Sequence, residues 1–154
     1  MRFNLFLWLL VLVTYFGNGQ NLNMVIEVND RLVESDIVGA YLNFETTDGT
    51  KSRNLIGYYP GELMLDHEDW KEINSELTKK ITLSFNYYDH SKRNDTSLNI
   101  EVEMQKEYFD MRYLILRVYD LREKAFKKRY GCLTENDFVA EFSCPDCGVL
   151  IQCE

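Results

Sequence analysis

The sequence predicts a mainly β protein, an antiparallel β-sandwich with one short helix, followed by a small tail held by disulfide bonds. Two observations carry this prediction: apolar and polar residues alternate in several segments, and all 4 cysteines lie close to the C-terminal end of the 154-residue chain. Hydrophobic residues make up 45% of the chain, and it has only 2 prolines and 8 glycines. This composition favours a folded core over a disordered chain.

The clearest alternation lies in the middle of the chain. In residues 81–87, and again in residues 98–104, every second side chain is apolar, which is typical of a strand with one buried face. The polar segment between them, residues 89–95, predicts a loop that joins the two strands as a hairpin.

Other strands and one helix complete the predicted sandwich. The strands are expected at residues 24–28, 38–44 and 111–119, with a turn at Asp48-Gly49. The last strand has apolar side chains on both faces, so we expect it to be covered on both sides. A helix is predicted over residues 68–78, because Trp70, Ile73 and Leu77 recur at helical spacing and Asp66 precedes them as a cap.

The N-terminal segment predicts secretion. Arg2 precedes an apolar run of about 12 residues, and the small-residue stretch Gly17-Asn18-Gly19 follows it. Such a run is too short to span a bilayer core of about 30 Å. We therefore expect a signal peptide at residues 1–19 and a secreted, extracellular chain without a transmembrane anchor; the alternative is an uncleaved anchor. In that compartment Asn94-Asp95-Thr96 is a glycosylation acceptor at Asn94.

Charge and motif spacing argue against several classes of function. The net charge is −8 and the pI is near 4.8, which argues against nucleic acid as a partner because lysine and arginine supply the affinity for phosphate. Residues 66–69, Asp-His-Glu-Asp, are consecutive and point in different directions, unlike the ligands of a metal site on a helix. Residues 89–91, Asp-His-Ser, are neighbours that cannot form a catalytic relay. We expect no enzyme activity, metal or cofactor.

A basic cluster precedes the cysteines. It consists of Lys124, Lys127, Lys128 and Arg129, interrupted by Phe126. In an acidic protein a cluster of this size is typical of a solvated surface, and the alternative is a surface that binds a partner.

The four cysteines are Cys132, Cys144, Cys147 and Cys153. Three interpretations compete for Cys144 and Cys147, which form a C-x-x-C motif. A redox site requires this motif at the start of a helix, and no helix is predicted after it. A zinc site of four cysteines is normally built from two such motifs. Two structural disulfides fit the extracellular compartment, and the sequence allows three pairings.

The tail also has a distinctive order of motifs. Residues 117–120 read Arg-Val-Tyr-Asp, and Cys132 and Cys144 enclose eleven residues. This order resembles a degenerate DSL domain, the module of the Delta, Serrate and Jagged ligands of Notch receptors. In that family the opening reads Arg-Val-x-Cys-Asp, and the six cysteines pair first with second, third with fourth and fifth with sixth. Tyr119 and Lys128 occupy the first two cysteine positions here, so one whole disulfide of the family is absent.

The resemblance implies a disulfide and a receptor-contacting loop. Cys132 and Cys144 fall on the third and fourth cysteines of the family, and Cys147, extra to the pattern, is available to pair with Cys153. Between Cys132 and Cys144, the stretch Asn136-Asp137-Phe138 resembles the Asp-Asp-Phe of the family's receptor-contacting loop. Phe142 lies where the family often has tyrosine.

The resemblance further implies two domains and a binding function. Residues 20–116 are expected to form a C2-like β-sandwich, with weak lipid contact, and residues 117–154 a truncated DSL-like module. The chain is then expected to be a secreted Notch ligand or co-ligand that binds the EGF repeats of a Notch-type receptor and modulates Notch signalling in development. Phe138 is expected to be the apolar anchor of the contact, with Asn136 and Asp137 as its polar rim; the alternative for Phe138 is a core position.

A second class of function stays open at this point. A secreted β-sandwich can also carry a small apolar ligand or a lipid. This alternative predicts an internal cavity lined by residues such as Phe85, Tyr87 and Leu114.

Overall fold

The computed structural model describes residues 21–90, 96–130, 137–145 and 150–152, with the backbone alone for residues 96 and 150–152. Several predicted features lie outside the described residues: the signal peptide, Asn94, Asn136, Cys132, Cys147 and Cys153. Within them the fold is mainly β, as predicted. The elements in chain order are β1 (Met24–Val28), β2 (Arg31–Leu32), β3 (Ile37–Thr46), β4 (Lys51–Leu55), β5 (Gly57–Tyr59), β6 (Glu62–Met64), α1 (His67–Ile73), β7 (Thr78–Asp89), β8 (Thr96–Met104), a 3-10 helix (Lys106–Asp110), β9 (Leu114–Asp120), α2 (Lys124–Arg129), β10 (Phe138–Ser143) and β11 (Leu150–Gln152).

The strands form two large sheets and one small one. The five-stranded sheet has the order β11-β10-β9-β1-β2, the four-stranded sheet has the order β4-β3-β7-β8, and β5 pairs with β6. The predicted hairpin of β7 and β8 is confirmed, with Phe85 opposite Ile100. One pairing departs from the antiparallel prediction, because β1 and β9 run parallel, with Met24 opposite Leu114. These two strands are far apart in the chain, so no short turn dictates that they run antiparallel.

The two large sheets share one hydrophobic core. It takes the buried residues of alternating strand positions from both sheets, including Ile26, Leu42, Phe44, Leu83, Phe85, Ile100, Leu116 and Phe142. These strands therefore bury alternate side chains in this core, which is the physical origin of the period of two in the sequence.

Helix α1 begins where the sequence predicts and ends earlier. The Asp66 side chain accepts a hydrogen bond from the Asp69 backbone at 2.9 Å, and the Asp69 side chain accepts one from the Asp66 backbone at 2.8 Å. The helix ends at Ile73, so Leu77 is exposed rather than part of an apolar helix face. The sheet takes over at Thr78, which pairs with Thr46 of β3.

The predicted boundary between two domains falls inside a strand. The position between residues 116 and 117 lies inside β9 (Leu114–Asp120), and β10 pairs with β9 along its whole length, from Phe138 opposite Asp120 to Ser143 opposite Ile115. Cys144 also belongs to the main core cluster. The described part of the tail is therefore built into the sheet and the core of the preceding segment.

Helix α2 covers the outer face of the five-stranded sheet. A second cluster forms there from Tyr119, Leu121, Tyr130 and Val139, with Phe126 packed against it. Strand β9 is thus covered on its outer face at Tyr119, whereas Ile115 and Arg117 on the same face stay partly exposed, so the predicted covering of both faces holds only for the end of the strand. The sequence predicts neither α2 nor β10, since its cysteines point to a small disulfide-bonded module after residue 116.

Candidate interaction surfaces

The predicted receptor-contacting loop ends at β10. Asp137 is exposed, and its backbone carbonyl accepts a hydrogen bond from the Leu121 amide at 2.8 Å. Phe138 is the first residue of β10; it is partly buried and packs against the main core. Its ring therefore contributes to the core, as the core interpretation expects, and also keeps some exposed surface, as a receptor contact requires. Asn136 lies outside the described residues.

The position of Phe142 does not fit the expected receptor contact. Its side chain is fully buried, and its ring centroid lies 4.9 Å from that of Tyr108. Because strand side chains alternate between the two faces, Phe142 points into the core together with Ala140. Phe142 therefore supports the sheet from the inside, and its side chain offers no surface to a partner.

An ion pair fixes the end of β9 next to Phe138. Arg122 donates to both carboxylate oxygens of Asp120, from Nε and Nη2, each at 2.8 Å. This hydrogen bonding to the nearly buried Asp120 raises the pKa of Arg122. Arg122 Nη1 also donates to the Ser97 carbonyl at 3.2 Å, which links the five-stranded sheet to β8 of the other sheet.

Helix α2 is held at both ends by the turn between β1 and β2. Asn29 Nδ2 donates to Glu123 at 2.8 Å, just before the helix, and Arg129 at its end lies 3.9 Å from Asp30. Asn29 and Asp30 both have positive φ, 55° and 61°, a conformation that these two residue types adopt more readily than most.

Aromatic side chains pack beneath α2. The ring centroid of Tyr119 lies 4.9 Å from that of Tyr130 and 5.3 Å from that of Phe126. The Tyr130 hydroxyl donates to the buried carboxylate of Glu141 at 2.6 Å. Burial, followed by this hydrogen bond, raises the pKa of Tyr130. The Arg129 guanidinium lies 5.2 Å from the Tyr119 ring and 5.3 Å from the Tyr130 ring.

The outer face of the four-stranded sheet carries a shallow polar depression of about 420 Å³. The central strands of the sheet, β3 and β7, line this depression with short side chains. Among them, Asn43 Nδ2 donates a hydrogen bond to Ser84 Oγ at 2.8 Å. The cations Lys51 and Arg53 stand on the β4 side and Glu101 on the β8 side. A second depression, of about 280 Å³, lies beside α2 and is lined in part by Tyr87 and Phe126. Phe85 and Leu114, which the carrier alternative needs as cavity walls, are buried in the core and line neither depression.

Side chains of the motifs at residues 66–69 and 89–91 form contacts within the fold. Asp66 and Asp69 are used by the cap of α1, and Asn54 Nδ2 donates to the buried Asp69 at 2.9 Å. His90 is exposed and lies 3.9 Å from Asp36, while Ser91 is outside the described residues. The part of the chain that the structure describes contains no group of three or more histidine, cysteine, aspartate or glutamate side chains that could hold a metal ion.

Cys144 is the one cysteine within the described residues. It is buried at the end of β10 and is disulfide-bonded. Since the other three cysteines lie outside the described residues, the pairing implied by the family resemblance stays a prediction.

Two findings complete the description of these surfaces. Among the described residues, none of the helices has the length and apolar character needed to cross a membrane. No protein-family model, curated protein or solved structure matches this chain significantly.

Proposed function

We propose that this chain is a secreted binding protein, a soluble relative of the DSL ligands that binds a Notch-type receptor and modulates its signalling as a co-ligand or inhibitor. One observation carries the proposal most directly. Asp137, which is exposed, and Phe138, which is partly exposed, are consecutive residues at the start of a strand whose backbone pairs with β9. A small apolar anchor beside a polar rim is the arrangement expected of a binding hot spot.

The packing beneath α2 supports the proposal from a second direction. In the DSL family a disulfide joins the two positions that are occupied here by Tyr119 and Lys128. In this chain Tyr119 packs against Phe126 and Tyr130, which flank Lys128 in sequence, and so the same two segments are held together by aromatic contacts. The loss of both cysteines is thus compatible with a tail that keeps the family's arrangement of segments.

We extend the same proposal to the class of the β-sandwich and to the tail. Two sheets with one shared core are the layers of a β-sandwich, and we assign it to the C2-like class that precedes the DSL module in the family. The descriptions of residues 117–154 as a DSL-like module and of a weak lipid contact rest on the same resemblance. In this protein the module would share its sheet with the sandwich.

The test is binding of the purified, secreted chain to an immobilised ectodomain of EGF repeats from a Notch-type receptor. Asp137→Arg reverses an exposed charge at the proposed contact, and we expect it to weaken binding about tenfold or more. Glu34→Arg is the matched control, because Glu34 is an exposed acid in a loop between β2 and β3. We expect this control to bind as the unmodified chain does.

Phe138→Ala provides the second arm of the test. Since Phe138 also packs against the core, the thermal unfolding of this variant is measured beside its binding. A folded variant with weaker binding supports the anchor role, whereas a variant that loses stability and binding together supports the core role alone. If the correctly oxidised chain fails to bind any Notch-type ectodomain, or if Asp137→Arg and Glu34→Arg behave alike, the proposed function is wrong.

A further inference from the structure

The exposed side of α2 is strongly basic in a protein of net charge −8. Lys124, Lys127 and Lys128 are all exposed, and their spacing of three and four residues places them on one side of the helix. We call these three side chains the lysine face. Within the described ranges none of them forms an ion pair with an acidic side chain.

The other residues in and around α2 are engaged by the fold. Phe126 packs against Tyr119 with ring centroids 5.3 Å apart, and Arg129 lies 3.9 Å from Asp30 and over two aromatic rings. Glu123 accepts from Asn29 before the helix begins. These contacts fix the rotation of α2 about its axis, so the lysine face is presented outward by a rigid support.

Folding alone does not explain the lysine face. Lys127 and Lys128 lie in the last turn, where the helix dipole favours a cation. Lys124 is the first residue of the helix, where the dipole favours an anion, and the first turn contains no acidic residue. Lys124 and Lys128 are also four residues apart, a spacing at which like charges repel. A cation at position 124 therefore opposes the stability of its own helix.

We propose that the lysine face binds a sulfated polysaccharide of the glycosaminoglycan type. Charge complementarity is the first argument, because three exposed ammonium groups that have no acidic partner among the described residues attract a polymer that carries regularly repeated sulfates. The shape of the polymer is the second. Charges are screened beyond about 8 Å at physiological ionic strength, so a narrow chain lying along α2 interacts mainly with the lysines. Among the described residues, the acidic side chains at the ends of the helix, Asp30 and Glu123, are already engaged with Arg129 and Asn29.

The same observations disfavour a membrane as the occupant. An interfacial helix inserts an apolar face into the lipid, but the apolar side of α2 is packed on the sheet through Phe126. The exposed large hydrophobic residues of the described chain include none from α2. An anionic bilayer is also an extended plane, and it would bring its charge close to the acidic surroundings of the helix.

The experiment measures binding of the full secreted chain to immobilised heparin over a series of salt concentrations. The test variant is Lys124→Gln/Lys127→Gln/Lys128→Gln, which removes the charges and keeps good helix formers. The control variant, Lys51→Gln/Lys71→Gln/Lys79→Gln, makes the same change in net charge at exposed lysines outside α2. We expect the test variant to lose at least about tenfold in affinity, with a salt dependence shallower by about two to three charges, and the control to bind nearly as the unmodified chain does.

Further arms make the result decisive. Desulfated heparin and vesicles of phosphatidylserine and phosphatidylcholine are presented to the same chain, and thermal unfolding confirms that both variants are folded. The proposal is overturned if the chain does not bind heparin, if both variants lose binding equally, if desulfated heparin binds as well, or if only the vesicles bind. No receptor is present in this assay, so its outcome is independent of the proposed receptor binding.

Discussion

At the scale of single residues, the hydrogen bond between Tyr130 and Glu141 joins α2 to β10. Both side chains are nearly buried, and the bond measures 2.6 Å. A buried carboxylate that loses a hydrogen-bond donor keeps its cost of desolvation, which makes this contact important for stability although it lies outside the main core.

We predict that Tyr130→Phe lowers the free energy of unfolding by about 1–3 kcal/mol, because it removes the donor and leaves the carboxylate of Glu141 in place. Chemical denaturation measures the change. Tyr113→Phe is the control, since Tyr113 is exposed and the same atom is removed from a solvated ring. Equal stability of the two variants would show that the hydroxyl of Tyr130 contributes nothing.

The pH dependence of the free energy of unfolding gives a second measurement of the contribution of Tyr130. Burial raises the pKa of Tyr130 in the folded state, so the unfolded chain releases this proton first as the pH rises. The contribution to stability is therefore complete below the ordinary tyrosine pKa of about 10 and is lost at higher pH. Tyr58, Tyr108 and Tyr119 have pKa values raised mainly by burial and add to the same decline. In Tyr130→Phe the decline above that pH is expected to be shallower.

At the scale of elements, α1 depends on its cap more than on its length. The helix has only 7 residues, and the reciprocal hydrogen bonds of Asp66 and Asp69 satisfy two of its free N-terminal donors. So short a helix is not stable alone, and packing of Ile73 in the core supplies the remaining support.

We predict that Asp66→Ala lowers the free energy of unfolding by about 0.5–2 kcal/mol, because the backbone amide of Asp69 loses its acceptor. The control is Glu68→Ala in the same first turn, where the side chain only forms an exposed ion pair with Lys71 at 3.4 Å. Equilibrium denaturation followed by circular dichroism compares the two. A loss of the same size in both variants would mean that the cap is not the source of the effect.

At the scale of the whole molecule, β9 connects the two parts that the sequence suggested. It pairs with β1 on one side and β10 on the other, and its side chains enter the main core and the cluster beneath α2. The described tail therefore shares a sheet and a core with the preceding segment.

We predict that a chain ending at Leu116 does not fold, since it lacks half of β9 and all of β10 and exposes the buried face of the five-stranded sheet. The full chain is the reference. Near-ultraviolet circular dichroism and a thermal scan measure the loss of fixed aromatic packing and of a cooperative transition. A cooperative transition in the shortened chain would restore the two-domain description.

Sequence and structure agree where a feature depends on neighbouring residues, and they differ where it depends on contacts with other parts of the chain. Strand β1 has the bounds that the sequence predicts, and α1 begins at its predicted cap, Asp66, because alternation and capping are properties of neighbouring residues. Leu77 fits the helical spacing but lies outside the helix, since Thr78 is claimed by β7. Phe142 matched a family position for a receptor contact, and only the alternation of β10 against β9 shows that its side chain is internal.

The sequence by itself determined the β class, the hairpin of β7 and β8 and the start of α1, because these depend on local periodicity and on short turns. Only the tertiary structure decided that β1 and β9 run parallel and that the tail joins their sheet. It also decided which side of α2 is free to bind, leaving the lysine face outward and Phe126 inward. The parallel pairing and the position of α2 depend on contacts between segments about ninety residues apart in the chain, as in the hydrogen bonds of Asn29 with Glu123 and Asp120, and no local pattern encodes such pairings.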